Sequence, residues 1–320
     1  MTVKIIGTGA CPGDKIVSNE DLAKIVETSD EWIYSRTGIK TRYLNTGQGI
    51  SEMAAEASRR ACENGGVHPE EVDLILCATS TPECCFPSSA CQVQEKIGAV
   101  NAAAFDISAA CSGFVFALQT AYSFLVSGSY KTILVIGADD LSKITDWGDR
   151  KTCVLFGDGA GAAVMTAGEK GCFHGIMGSD GRKSSVLTCL SRSDGNFLTG
   201  KKPEYGFIHM DGQEVFKFAV KKVPECIDQL LSEQGISKEE IRYYILHQAN
   251  QRIIEAVSKR LKEPLEKFPM NIQEYGNTSA ATIPILLDEM NRAGRLNQGD
   301  KIIMAGFGGG LTWGAVLLEW

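Results

Sequence analysis

No run of about eighteen apolar residues occurs anywhere in the chain, so no segment is long enough to cross a bilayer as a helix. The opening stretch, MTVKIIGTGACPGDK, is too short in apolar residues to act as a secretory signal, and the expected location is the cytoplasm. Positive charge is also scarce: 32 Lys and Arg face 39 Asp and Glu, a net charge of -7. Nucleic-acid phosphates are held by excess positive charge, so general nucleic-acid binding is excluded and any anionic partner needs a local basic patch. Only four histidines are present, and the eleven cysteines include no C-x-x-C pair. Zinc-ligand spacing is therefore missing, no metal is expected, and the cysteines read as reduced thiols in a reducing compartment. Low-complexity segments and linkers are lacking too, which leaves one large or two ordinary globular domains in 320 residues.

What is present centres on Asp106 to Gly128, DISAACSGFVFALQTAYSFLVSG. The run after Cys111 is apolar nearly all the way round and predicts a helix buried inside a domain. Cys111 is expected to open that helix, where free N–H groups and positive partial charge favour thiolate. The plainer reading is a buried structural cysteine.

The chain also repeats itself. EEVDLILCATST (70–81) resembles EEIRYYILHQAN (239–250) at an offset of 169, and the stretch 108–138 resembles 278–307 at 170. FGDGAGAAV (156–164) and FGGGLTWGAVLLE (307–319) lie 151 apart, which places roughly nineteen extra residues in the first half near 140–155. That extra piece, SKITDWGDRKTC, is a candidate substrate loop. Two halves follow, 1–170 and 171–320. Within each, β-branched runs alternate with helical patterns, predicting mixed sheets covered by helices, with the two most apolar helices between sheets. Cys111 and its pseudo-mate Ala281 are expected to begin those two helices. His247 ends a predicted strand, Asn277 precedes the second central helix, and Gly308 to Gly310 follow another strand.

AACSGF, HQANQRI, YGNTSAATIP and FGGGLTWG, in this order, with TSDEWIYSRTGI at 28–39, resemble the motifs of the β-ketoacyl-[acyl-carrier-protein] synthase III family, condensing enzymes of the thiolase-like superfamily. The resemblance runs essentially end to end. It implies an α/β thiolase-like fold with duplicated mixed five-stranded sheets in an α-β-α-β-α arrangement. It also implies decarboxylative condensation of an acyl-CoA with malonyl-acyl carrier protein through an acyl group on Cys111, with His247 and Asn277 as donors to an enolate. The N–H groups of Cys111 and Gly309 would form the oxyanion hole. Acyl-CoA is then a substrate, and neither cofactor nor metal is implied.

The same resemblance places Trp32 and Arg150 about the adenine of CoA, Thr28 nearby, Arg36 toward the phosphates, and Gly212, Phe216, Ala249 and Asn250 along the pantetheine channel. Lys151 departs from the family, whose well-known members often have glycine there. Phe86 would close the acyl pocket across a homodimer interface. Arg252, Lys259 and Arg260 fall on one helix face and, with Lys217, match the family's carrier-protein docking region; a solvated face is the plainer reading. Other classes stay open: a specialised condensing enzyme of secondary metabolism, a thiol acyl hydrolase, or an inactive scaffold.

Overall fold

The computed structural model describes residues 2–190, 193, 195–202 and 204–320. The β-branched runs form two sheets. The first has five strands, β1 (Thr2–Pro12), β2 (Leu74–Ala78), β3 (Ala103–Ile107), β4 (Thr132–Asp140) and β5 (Asp158–Gly168), side by side in the order β1-β5-β4-β2-β3. Its centre is parallel, β2 pairing with both β3 and β4, and β5 runs antiparallel to β4 and β1. The second sheet contains β6 (Phe173–Ser179), β7 (Ile241–Leu246), β8 (Lys301–Gly308) and β9 (Thr312–Glu319), in the order β7-β8-β9-β6.

The expectation of five strands per sheet thus meets four in the second, among the described residues. The reason lies at 269–271. Pro269 has no N–H to give to a ladder, and the Gln248 side chain occupies the position instead. Its Nε2 donates to Leu246 O at 2.7 Å and Pro269 O at 3.5 Å, and its Oε1 accepts from Asn271 N at 3.3 Å.

Alternation along each strand sends side chains to two different cores. From β2, Leu74, Leu76 and Ala78 face the middle of the molecule, where they meet helix α3 (Gly113–Val126), helix α6 (Thr282–Arg292) and the inner face of the second sheet. Ile75 and Cys77 point outward onto α1 (Ile50–Gly65) and α2 (Ser89–Ile97). The outer face of the second sheet is covered by α4 (Gly212–Gln234) and α5 (Gln251–Leu261). The layers are therefore helix, sheet, helix, sheet, helix, with the most apolar helix, α3, in the middle.

The repeat is visible in detail. Tight turns at Ala110–Ser112 and Ser279–Ala281 precede α3 and α6, and the first residue of each turn has positive φ, 46° at Ala110 and 53° at Ser279. Those positions are 169 apart, so the pseudo-mate of Cys111 is Ala280, one residue before the Ala281 expected from sequence. The register also corrects the inserted length. Ile133 pairs with Met165 and Ile302 with Leu318; the first members are 169 apart and the second 153, leaving sixteen extra residues between β4 and β5 rather than nineteen. The miscount arises because the glycine motifs matched by letter do not occupy matching rungs of the two ladders.

Candidate active site

Cys111 sits in the tight turn, and α3 begins two residues later at Gly113, so the thiol precedes the helix rather than opening it. Ala110 at φ 46° costs on the order of 1–2 kcal/mol for a residue bearing Cβ. Side chains hold the turn: the Ser112 and Thr312 hydroxyls lie 2.8 Å apart and reach Ala109 O at 2.7 and 3.3 Å. Gly308, ending β8, is packed so closely that a Cβ there would stand 2.7 Å from Cys111 N. Gly308→Ala should therefore displace the Cys111 N–H; with that N–H as the oxyanion donor the resemblance implies, acyl transfer to Cys111 should slow by about 10²-fold with the folded content seen by circular dichroism retained, and an unchanged acylation rate would remove that contact from the site.

The expected thiolate is not favoured where the sulfur sits. Burial pushes the Cys111 thiol up to about 12, and the buried Asp139 carboxylate acts in the same direction, against a hydrogen bond from the Ser279 hydroxyl at 3.3 Å. Desolvation outweighs both groups that favour thiolate, the Ser279 hydroxyl and the Cys111 backbone N–H. Asp139 was not found by sequence reasoning. It accepts from Ser80 N at 2.7 Å, from the Thr79 and Thr81 hydroxyls, and from Ala280 N at 3.2 Å, tying the end of β4 to the second turn.

His247 follows β7 and donates its N–H to Ala305 O at 2.8 Å. Its ring stands edge-on to Phe307, 5.3 Å between centroids, and Nδ1 lies 2.7 Å from the Thr282 hydroxyl. Burial pushes the imidazole down to about 3, so the ring is neutral at any ordinary pH. Asn277 is held by a turn of its own: Oδ1 accepts from Ser279 N at 2.9 Å, which leaves its Nδ2 donors without a partner among the described residues. The Gly309 N–H is likewise unpartnered there. Cys111, His247, Asn277 and Gly309 all line one cavity of about 890 Å3, walled mainly by apolar side chains such as Phe156, Leu187, Ile208 and Phe218. A neutral ring, an amide donor and two backbone N–H groups around a thiol suit a reaction that passes through oxyanions.

Comparison with known proteins bears directly on that geometry. Residues 105–181 match the family profile described as 3-oxoacyl-[acyl-carrier-protein] synthase III, and residues 231–320 match its C-terminal counterpart. The β-ketoacyl-[acyl-carrier-protein] synthase III of Clostridium acetobutylicum is 52% identical, over 100% of this chain and 99% of that relative. The chain belongs to the β-ketoacyl-[acyl-carrier-protein] synthase III family. The crystal structure of the Aquifex aeolicus synthase III superposes with a TM-score of 0.92 at 48% identity, covering 99% of this chain and 100% of the other. The priming β-ketosynthase of the R1128 polyketide pathway shares the fold equally well, TM-score 0.92 over 99% and 96% of the two chains, at 33% identity. Synthase III enzymes are condensing acyltransferases of fatty acid biosynthesis with the thiolase-like fold, and the higher identities lie with them rather than with the specialised enzyme.

The other residues singled out by the synthase III resemblance separate into groups. Trp32, Arg36, Gly212, Phe216, Ala249 and Asn250 line the same cavity, and so does Lys151. Trp32 is presented by the short helix Asp30–Thr37, capped by the Ser29 hydroxyl on Trp32 N and closed by Gly38 at φ 81°. Its indole carries Arg36 at 4.6 Å and Arg150 at 4.8 Å from the ring centroid, while Arg150 Nη1 donates to Glu27 O at 2.9 Å. Arg150 thus rests directly on the indole. The half-buried Thr28 hydroxyl beside them has no partner among the described residues. Asn250 is already committed: Oδ1 caps α5 on Arg252 N at 2.8 Å and Nδ2 donates to Arg36 O at 3.0 Å, so it shapes the channel through the backbone it holds.

Phe86 is outside the cavity and 86% exposed in the single chain. Arg252, Lys259 and Arg260 are exposed on α5; Arg260 stands 4.0 Å from Glu225, and Lys217 pairs with Glu214 at 2.8 Å. No ion pair engages Arg252 or Lys259 among the described residues. Ser279, Thr282 and Thr312 escaped sequence reasoning. Ser279 had a signal: at offset 169 it is the mate of Ala110, so the repeat pointed to the Cys111 turn.

Proposed function

We propose that this chain condenses a short acyl-CoA with malonyl-acyl carrier protein to give 3-oxoacyl-acyl carrier protein, CoA and CO2, at the first step of fatty acid synthesis. Cys111 attacks the thioester carbonyl, whose developing oxyanion is held by the N–H groups of Cys111 and Gly309. CoA leaves with the thiol proton. Malonyl-acyl carrier protein then loses CO2, and the resulting enolate oxygen is held by His247 and Asn277 while its carbon attacks the acyl-enzyme. CoA enters between Trp32 and Arg150, the guanidinium swinging off the indole to admit the adenine, with Arg36 toward the phosphates. Acyl-CoA is consumed as a substrate, and every step uses this chain's own groups.

The observation that carries this reading is the meeting of Cys111, His247, Asn277 and Gly309 around one apolar cavity from positions up to 198 residues apart. A thiol hydrolase needs a base to activate water, and an imidazole pushed down to about 3 is a weak one. Intact mass of the protein after exposure to a panel of straight and branched acyl-CoA thioesters tests the proposal. One acyl adduct, discharged only by malonyl-acyl carrier protein with release of CO2, is expected; discharge by water at the same rate would favour the hydrolase.

The reading extends to partners. A second copy pairs along the open edge of β3, where Phe105 is exposed, and covers Phe86. The acidic carrier protein docks on Arg252 and Lys259. Reversing both to Glu should raise KM for malonyl-acyl carrier protein about tenfold, leave KM for acyl-CoA alone, and flatten the salt dependence of the carrier-protein step; an unaltered KM would return that face to solvent. The site of action is the reducing cell interior, in keeping with eleven free cysteines.

A further inference from the structure

The Cys111 thiol has to shed a proton as its sulfur bonds to a carbonyl carbon, and the cavity wall offers nowhere to put it. Besides Cys111, the titratable side chains along that wall are Arg36, Lys151, Cys189 and His247, with no carboxylate among the described residues. Arginine and lysine already carry their protons, Cys189 is itself a thiol, and an imidazole pushed down to about 3 does not hold one. A carboxylate does stand behind the sulfur, one side chain away. Asp139 is fully buried and ringed by donors: the N–H groups of Ser80 at 2.7 Å and Ala280 at 3.2 Å, and the hydroxyls of Thr79 at 3.2 Å and Thr81 at 3.0 Å. Both hydroxyls spend a lone pair on a backbone N–H, Thr79 on that of Thr81 at 3.1 Å and Thr81 on that of Asp140 at 2.7 Å, which turns their own hydrogens toward the carboxyl. Such a shell suits the anion. None of these partners is a cation, however, and burial raises the carboxyl above its ordinary value, so this anion gains by taking up a proton.

Ser279 joins the sulfur to that carboxylate. Its Oγ lies 3.3 Å from Cys111 Sγ, and its hydroxyl is among the hydrogen-bonding groups that hold Asp139 down. The turn aims it: Ser279 sits at φ 53°, with its own N–H on Asn277 Oδ1 and the next N–H on Asp139. A carboxylate only accepts and a hydroxyl has one hydrogen, so both contacts are satisfied when the thiol donates to Ser279 Oγ and Ser279 donates to Asp139. After a double transfer the order reverses, the hydroxyl donating to thiolate and the protonated carboxyl to the hydroxyl. Each end state keeps two hydrogen bonds.

We propose that Ser279 and Asp139 carry the proton of Cys111 during acyl transfer, Ser279 at the sulfur and Asp139 acting through it as the final acceptor. As Sγ attacks the thioester carbon, the S–H proton moves to Ser279 Oγ, the Ser279 proton moves to Asp139, and the carbonyl electron pair goes to oxygen. When the intermediate collapses, the bond from carbon to the CoA sulfur breaks. The proton then returns through the same hydroxyl, which lines the cavity, to that departing sulfur. The inference rests on the acyl-transfer half of the condensing reading above and deepens it.

Acyl-CoA and iodoacetamide, applied separately to the whole protein at one pH, distinguish this role from plain support of the thiolate. Iodide leaves without needing a proton; the CoA sulfur needs one. Asp139→Asn removes an anion that pushes the thiol up, so alkylation of Cys111 should hold or quicken, while the acyl adduct, read by intact mass, should form about 10²-fold more slowly, the scale of a lost acid–base group. A merely structural or electrostatic role moves both rates the same way. Ser279→Ala should slow acylation by a similar factor and alkylation by no more than about fivefold, the worth of one hydrogen bond to the sulfur. Acylation that keeps pace with alkylation in these variants overturns the proposal, and Ser279→Ala answers alone if the asparagine variant does not fold. Both readouts stop at the acyl-enzyme, so a chain that acylates as expected and then fails to condense would count against the condensing reading alone.

Discussion

Cys111→Ser should show no acyl adduct by intact mass with any acyl-CoA, and overall turnover should fall by on the order of 10³-fold or more, the scale lost when a covalent nucleophile is removed. The size follows from the setting. The thiol of Cys111 is already pushed up to about 12 by burial, so ionisation is unfavourable even for sulfur, and a serine hydroxyl is far less acidic in the same desolvated turn. Serine keeps the volume and the Ser279 contact, which separates lost chemistry from lost packing. An adduct persisting at full occupancy in this variant, mapped by peptide mass to another residue, would end the assignment of Cys111 as nucleophile.

His247→Ala and Asn277→Ala should each slow malonyl decarboxylation by about 10²- to 10³-fold, as expected for removal of an oxyanion donor in a water-poor site, while acyl transfer to Cys111 falls much less. On the proposed mechanism the first half-reaction has the N–H groups of Cys111 and Gly309 for its oxyanion, and the second depends on the two side chains. Equal losses in both half-reactions would count against this division. The pH dependence carries a further signature. The folded imidazole is depressed from 6.5 to about 3 by burial, so between those values the unfolded chain binds a proton that the folded chain does not. Stability therefore falls as pH falls through that window, and His247→Gln should remove that share of the acid loss in denaturant titrations. Decarboxylation should show no inflection from His247 across the neutral range.

Much of this site is legible in the sequence because its chemistry is carried by residue types that are rare in their surroundings. Cys111 stands before an apolar helix, and His247 is one of four histidines at the end of a β-branched run. The layers follow from the alternation of Leu74, Leu76 and Ala78 with Ile75 and Cys77 in β2, each set buried on a different side. Hydrogen bonds from side chains to groups remote in sequence leave a fainter trace. Ser279 reaches Cys111 across 168 residues and is marked only through the repeat, and the Gln248 side chain accepts from the Asn271 backbone N–H across 23 with no local pattern that distinguishes it from an ordinary polar residue. Protonation escapes for the same reason. The helix start near Cys111 is visible as a motif, but the desolvation that outweighs it is the sum of everything packed around the sulfur.

The two matching turns have unequal fates. In the second, Ala280 takes the place of the nucleophile, with a side chain too short for chemistry, and its backbone N–H binds Asp139. The preceding residue, Ser279, lends its hydroxyl to the sulfur of the first turn. The second turn thus serves as the socket for the first. Severing the chain between its halves should leave neither fragment able to hold an acyl group, because the reactive turn and the groups that steady it come from opposite sides of the cut.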